Sequence, residues 1–187
     1  IDCVYDSTMA QITINPTVSY QGIDMTVKKI TPYAFYQNDY IKELSIANQG
    51  DIENSAFYQC KNIETLVVSN LGHIGKSAFA GCTNLKTLII SNQGHIYSNA
   101  FSNCSNLKTA TISNNGNIDS QAFYKCVGLE QVDISNQGYI GTQAFYECTN
   151  LKIANINNSY AKYTPGVPLK LDGLSVYNSS KSQSYSF

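Results

Sequence analysis

No apolar run in this chain approaches the roughly 18 residues that a membrane helix requires, so the sequence carries no helical span. Charge is scarce as well. Asp, Glu, Lys and Arg make up 13% of 187 residues, and the formal net charge is −1. No field of either sign draws the chain to nucleic acid or to an anionic membrane. Tryptophan is absent, whereas tyrosine occurs 14 times. A weakly charged surface rich in Tyr, Asn and Ser suits a module outside the cell or on its surface. The chain has no initiator Met and no cationic, apolar leader at Ile1, and so reads as a mature or excised piece of a longer protein. Clustered cysteine pairs are missing too. A structural zinc needs a convergent tetrahedral set, and one Cys per repeat does not supply it.

What the chain does have is a period. Phe35, Phe57, Phe79, Phe101, Phe123 and Phe145 lie 22 apart, each preceded by Ala. Cys60, Cys82, Cys104, Cys126 and Cys148 keep the step, with Cys3 outside it. So do Asn48, Asn70, Asn92, Asn114, Asn136 and Asn158, and Gly50, Gly72, Gly94, Gly116 and Gly138. A fixed period in this range marks a repeat architecture whose coils stack along one axis.

Each coil carries an apolar triplet spaced i, i+3, i+5, as in Leu85-Leu88-Ile90. Its last two members alternate inward, as in a short strand. Stacked coils pair these strands in parallel at about 4.8 Å, so six coils make a sheet on the order of 25–30 Å long. The Asn column follows the strand, where an inward amide can bond backbone N–H groups that have lost their ladder partners, as well as its neighbours above and below. The Gly column then predicts a corner with φ > 0. Ala-Phe-x-x-Cys is too short for a full helix and predicts a single helical or 3₁₀ turn. The cysteines are read as buried thiols acting as small apolar groups.

The ends differ. Residues 1–29 lie outside the pattern. Ala10–Ile14 and Ile23–Val27 alternate apolar and polar, which predicts an antiparallel cap over the first coil. The coils occupy 30–160. Beyond them, 161–187 reads as a C-terminal cap with a strand in 169–176 and a Ser-rich tail from Asn178.

Column by column the chain resembles the BspA-like leucine-rich repeats, whose pattern runs I-G-x-x-A-F-x-x-C-x-x-L-x-x-L-x-I. Ile74-Gly75-Lys76-Ser77-Ala78-Phe79-Ala80-Gly81-Cys82-Thr83-Asn84-Leu85-Lys86-Thr87-Leu88-Ile89-Ile90 carries it, and the likeness extends over Ile30 to Asn158. Two departures stand out: Ser91-Asn92 where the family often has Pro, and Asn38 in the Cys column. The resemblance implies an α/β repeat protein, a curved right-handed solenoid of short parallel strands joined by short helical or 3₁₀ turns. It also implies a surface protein of a host-associated bacterium or protist that acts as an adhesin.

Solenoids of this kind commonly bind partners on the strand face. The outward positions there include Thr65, Val67, Thr87, Ile89, Thr109, Thr111, Gln131 and Asp133. Val67 and Ile89 form an apolar spot among hydroxyls, which is how interfaces are built; Thr and Val also suit exposed strand positions on their own account. The tyrosines Tyr36, Tyr58, Tyr124 and Tyr146, interrupted by Ala80 and Ser102, are read as shielding the opposite flank. Asp51, His73 and His95 share a column and have the donor types for a divalent metal, but parallel side chains do not converge, so the column is read as a solvated edge. Three glycosylation sequons, at Asn103, Asn157 and Asn178, carry no weight in a bacterial source. A nucleophile needs a base within reach, and the two histidines stand away from the inward cysteines. The expectation is a noncatalytic, monomeric binding module without cofactor or metal. Its partner is a protein or glycan of a host or neighbouring cell, reached without insertion into the membrane. A rigid spacer within a larger surface protein is the alternative.

Overall fold

The structure, a computed structural model, describes residues 10–141 and 143–158, and the strands at 176–178 and 183–185. It is a parallel β-solenoid. A nine-stranded sheet runs β1 (Gln11–Ile14), β4 (Glu43–Ile46), β5 (Thr65–Asn70), β6 (Thr87–Asn92), β7 (Thr109–Asn114), β8 (Gln131–Asn136), β9 (Ile153–Asn158), β10 (Val176–Asn178) and β11 (Gln183–Tyr185). From β4 to β9 each strand pairs in parallel with the next at an offset of 22 residues, as in Leu66↔Leu88↔Ala110. Residues 169–175, where a capping strand was expected, lie outside the described residues. Two strands occur near that expectation: β10 pairs in parallel with β9, and β11 in antiparallel with β10, where a tail was expected.

The alternation in the strands divides core from surface. In β6 the burial runs inward at Leu88, Ile90 and Asn92 and outward at Thr87, Ile89 and Ser91. Leu66, Leu88, Phe57, Phe79, Phe101 and Phe123 are fully buried. Consecutive phenyl rings stack, with Phe79 and Phe101 at 5.3 Å between centroids and 2° between planes. A single coil would leave these rings in water. Stacking removes most of that surface, and each buried phenyl contributes about 2 kcal/mol.

The N-terminal expectation is corrected. Ala10–Ile14 does not belong to an antiparallel cap: β1 lies parallel to β4 as a rung of the main sheet. The antiparallel ribbon is instead β2 (Thr17–Tyr20) with β3 (Ile23–Thr26). The register Gln11↔Glu43 spans 32 residues rather than 22, and this ten-residue hairpin, Thr17–Thr26, supplies the difference.

No helix occurs among the described residues, so the expected single helical or 3₁₀ turns are not seen as helices. The Ala-Phe segments are tight turns closed by i→i+3 bonds, such as Tyr58 N–H to Ser55 O at 3.1 Å and Cys60 N–H to Phe57 O at 3.3 Å. Left-handed residues interrupt each run, at φ 56° for Ser55 and φ 55° for Gln59. They turn alternate N–H groups toward the next coil, so that Phe57 N–H bonds Ala78 O at 2.7 Å and Gln59 N–H bonds Ala80 O at 2.8 Å. Continuous 3₁₀ winding would point those donors along its own axis instead.

The glycine column has a different cause from the one expected. None of Gly50, Gly72, Gly94, Gly116 and Gly138 has positive φ. They are glycines because the coils touch there. A Cβ on Gly94 would lie 2.4 Å from Gly72 O, and one on Gly138 would lie 2.3 Å from Gly116 O.

The asparagine column is buried throughout. Its amides link rung to rung: Asn70 Nδ2 donates to Asn92 Oδ1 at 3.2 Å, Asn92 to Asn114 at 2.9 Å, and Asn114 to Asn136 at 3.0 Å. The same amides cap corner carbonyls, as Asn92 does to Gly94 O at 2.7 Å. The backbone groups they satisfy are thus carbonyls rather than the expected N–H groups. Asn48 Oδ1 has no partner; the register carries it opposite Pro16, whose ring has no donor. Asn38, the departure in the Cys column, has its own task. Its Oδ1 accepts from Tyr40 N–H at 3.0 Å and Ile41 N–H at 3.2 Å.

Candidate binding face

The parallel register assembles the eight expected sheet-face residues into two rows. One row is Thr65↔Thr87↔Thr109↔Gln131 and the other is Val67↔Ile89↔Thr111↔Asp133. Neighbours within a row stand one rung, about 4.8 Å, apart, and the rows are two residues, about 6.6 Å, apart. Each residue alternates with a buried one, so all eight side chains leave the sheet on one side. Ile89 is 43% exposed. Val67 beside it is half-buried, and Thr109 and Thr111 are exposed. At the far end Asp133 is held by two amides: Gln131 Nε2 reaches its Oδ2 at 2.8 Å and Asn155 Nδ2 its Oδ1 at 2.6 Å. The face therefore passes from an apolar centre through hydroxyls to a positioned carboxylate. It is fixed from behind by the packed core, so a partner would meet it already ordered.

The BspA type leucine-rich repeat region matches residues 15–127 and 94–166, with six copies of the repeat. The chain belongs to this family. Among solved structures, the BspA-type solenoid is similar to the pneumococcal vaccine antigen PcpA, with a TM-score of 0.58 and 21% identity over 88% of this chain and 47% of that one. A leucine-rich cell surface protein from Faecalibacterium prausnitzii gives 0.45 and 23% over 78% and 47%. A leucine-rich repeat protein from Bacteroides ovatus gives 0.33 and 16% over 78% and 63%. The chain thus spans about half the length of the PcpA structure. Among curated protein sequences none is a match. At 21% identity the likeness to PcpA shows a shared solenoid fold.

The remaining candidates of this BspA-type repeat serve the stack. In the Asp51 column each side chain accepts the backbone N–H of the next rung: Asp51 Oδ1 from His73 at 2.7 Å, His73 Nδ1 from His95 at 2.8 Å, His95 Nδ1 from Asn117 at 3.0 Å, and Asn117 Oδ1 from Tyr139 at 3.1 Å. An accepting Nδ1 places the imidazole proton on Nε2. Both histidines therefore lack the free lone pair that a metal would take. No cluster of three or more potential ligands occurs among the described residues.

The thiols face inward. Cys60 Sγ donates to Phe35 O at 2.9 Å, and Cys126 Sγ to Phe101 O at 3.2 Å. Burial pushes Cys60 up to about 12, and it pushes Cys82 and Cys126 well above the usual thiol range. Thiols held protonated in this way are not nucleophiles.

The tyrosine column is broken as the sequence indicates. Tyr36 stacks on Tyr58 at 5.3 Å, Tyr124 on Tyr146 at 6.0 Å, and Ala80 and Ser102 between the pairs are buried. Sequence reasoning passed over a second set of exposed aromatics, Tyr97 and Tyr139. Their signal was an aromatic standing in columns that otherwise hold Gly and polar or charged residues.

Proposed function

We propose that this repeat is a noncatalytic binding module of a secreted or surface-attached protein. It acts as an adhesin for a protein or glycan of a host or neighbouring cell. The observation that carries the reading is the sheet face: two in-register outward rows with an apolar centre at Val67 and Ile89 and a polar rim, the anatomy of an interface. Membership of the BspA-type family supports a surface repeat protein, as does the likeness to a pneumococcal vaccine antigen. The protonated thiols and the engaged histidine lone pairs among the described residues support the noncatalytic reading. The domain acts as a monomer.

The test is binding of the fluorescently labelled domain to epithelial cells and to bacterial cells, read by flow cytometry. The Val67→Asp, Ile89→Asp double variant places charge at the apolar centre without touching the core. It lowers binding at least tenfold while melting within a few degrees of the parent, since surface changes of this kind cost little stability. Unchanged binding would overturn the assignment of the face.

A rigid spacer is the second reading. It is favoured by the continuous hydrogen-bonded stack from β4 to β9. A spacer has no preferred contact face, so charge on any flank would alter cell binding equally little.

A further inference from the structure

The corner after the asparagine ladder carries a second cluster, away from the sheet face. One column of this corner reads Glu53, Gly75, Tyr97, Asp119, Gly141. An aromatic ring and a carboxylate stand on adjacent rungs with a bare backbone on either side. The isolated bridges Ile74↔Ile96, Ile96↔Ile118 and Ile118↔Ile140 fix the register of this column. Tyr97 N–H bonds Ile74 O, and Asp119 N–H bonds Ile96 O, both at 2.9 Å. The two side chains therefore start about 4.8 Å apart from a backbone that cannot slide.

The Tyr97 ring is backed by imidazoles. It lies 5.8 Å from His95 at 19° and 5.3 Å from His73 at 41°. Both imidazoles are locked by the backbone bonds they accept. Tyr97 is still 38% exposed, so the residue keeps surface that a ligand can cover. Asp119 is oriented by Tyr139, whose hydroxyl donates to Asp119 Oδ1 at 3.2 Å. Tyr139 itself is 44% exposed.

We propose that Tyr97, Asp119 and Tyr139 form a binding site for the pyranose ring of a neutral glycan. An open aromatic face takes the C–H face of a sugar ring, while its rim of hydroxyls needs a fixed acceptor beside the platform. Asp119 is that acceptor. One of its oxygens is engaged by Tyr139, and the carboxylate can still accept from a vicinal diol, where charge-assisted bonds are the stronger kind. The glycan is neutral because the Asp119 carboxylate meets no cation among the described residues and would repel an acidic sugar, whereas Glu53 on the same corner is already paired with Lys29 at 2.7 Å. The shallow, one-sided platform does not surround its ligand, which sets it apart from the aromatic cages that take quaternary ammonium groups. This site is independent of the sheet face.

The test is saturation-transfer NMR on the folded domain with the methyl glycosides of mannose, galactose and glucose, and with N-acetylglucosamine, choline and sialic acid alongside. At least one neutral sugar binds with a dissociation constant on the order of millimolar, as a single-ring ligand with few contacts should. Tyr97→Ala abolishes the transfer. Asp119→Asn, which can still accept from Tyr139, weakens binding about tenfold. The Val67→Asp, Ile89→Asp variant leaves it unchanged, so the two sites fail separately. Absence of transfer to every neutral sugar, transfer to choline or sialic acid alone, or sugar binding that survives both Tyr97→Ala and Asp119→Asn overturns the proposal. A Tyr97→Phe variant, which keeps the ring, retains binding. Circular dichroism of each variant separates loss of the site from loss of the fold.

Discussion

Gly94 stands against Gly72 so closely that a Cβ on the first would lie 2.4 Å from the carbonyl oxygen of the second. The contact repeats along the corner, so this column sets how tightly the coils can approach. Gly94→Ala must push two rungs apart, and costs about 3 kcal/mol, at the upper end of overpacking penalties. Gly22→Ala is the control. Gly22 has φ +78° with nothing within 4 Å, so its substitution carries only backbone strain, about 1 kcal/mol. Urea denaturation of the two variants gives the ratio, and a Gly94→Ala cost no larger than that of Gly22→Ala would remove the close-contact account.

The same contrast shows which part of this fold could be read in advance. The period fixed the register of six coils, the inward Phe79, Cys82 and Leu88, and the two outward rows from Thr65 to Asp133, because every one of these depends on spacing alone. Three features were out of reach for physical reasons. The approach of Gly94 to Gly72 is a property of the stack, so it looked like a corner needing positive φ. The left-handed residues are Ser55, Gln59, Ser77 and others with side chains, and nothing in their identity announces φ > 0. The rung at Gln11–Ile14 is displaced from the period by the inserted hairpin, so a search at a step of 22 could not place it. Of the candidate site, the rows were legible. The seating of the Tyr97 ring against His73 and His95 and the bond from Tyr139 to Asp119 were not, since both depend on side-chain rotamers rather than on spacing.

The asparagine ladder gives a second measurement. Asn92 donates to Gly94 O and Asn114 Oδ1 and accepts from Asn70. Asn92→Ala leaves buried polar groups without partners on three sides and costs about 3 kcal/mol. Asn48 makes one bond, to Gly50 O at 2.8 Å, and stands outside the ladder, which opens at Asn70; the Oδ1 atoms of both are unpaired. Asn48→Ala therefore costs about 1 kcal/mol. Equal losses in chemical denaturation would mean that the amides act separately rather than as a chain.

His73 and its column make the same backbone bond with three different side chains, from Asp51, His73, His95 and Asn117. His73→Ala strands the N–H of His95 and lowers stability by about 1 kcal/mol. His73→Asn restores an acceptor and recovers most of that loss. Zinc leaves the melting temperature of the parent unchanged. A zinc-dependent rise that disappears in His73→Ala would show that the imidazoles are not held in the accepting tautomer.

The buried thiols predict instability in alkali. Unfolded, each cysteine ionises near pH 8.5, about the free-thiol value. Folded, burial raises Cys60 to about 12 and holds Cys82 and Cys126 higher than usual. The folded state thus keeps protons that the unfolded state releases. This contribution to stability is whole below the unfolded value and is lost as pH rises toward the folded one. Each such thiol removes about 1.4 kcal/mol per pH unit across that window. Melting temperature followed from pH 7 to pH 10 falls steeply above the unfolded value, and Cys82→Ala, though less stable at pH 7, shows a shallower fall. A Cys82→Ala slope as steep as the parent's would contradict the burial of the thiol.

The most direct test of the stacked-coil account is to remove one coil. Deleting residues 75–96 joins Ile74 to Tyr97 and keeps the Phe, Cys and Asn columns in register. Deleting 75–85 removes half a coil and turns the inward columns outward. Because neighbouring coils supply most of each coil's stability, the first deletion is expected to unfold cooperatively at a somewhat lower temperature with its β-sheet circular dichroism retained. The second is expected to show no cooperative transition. A half-coil deletion that folds as well as the full-coil one, or a full-coil deletion that does not fold, would contradict the account.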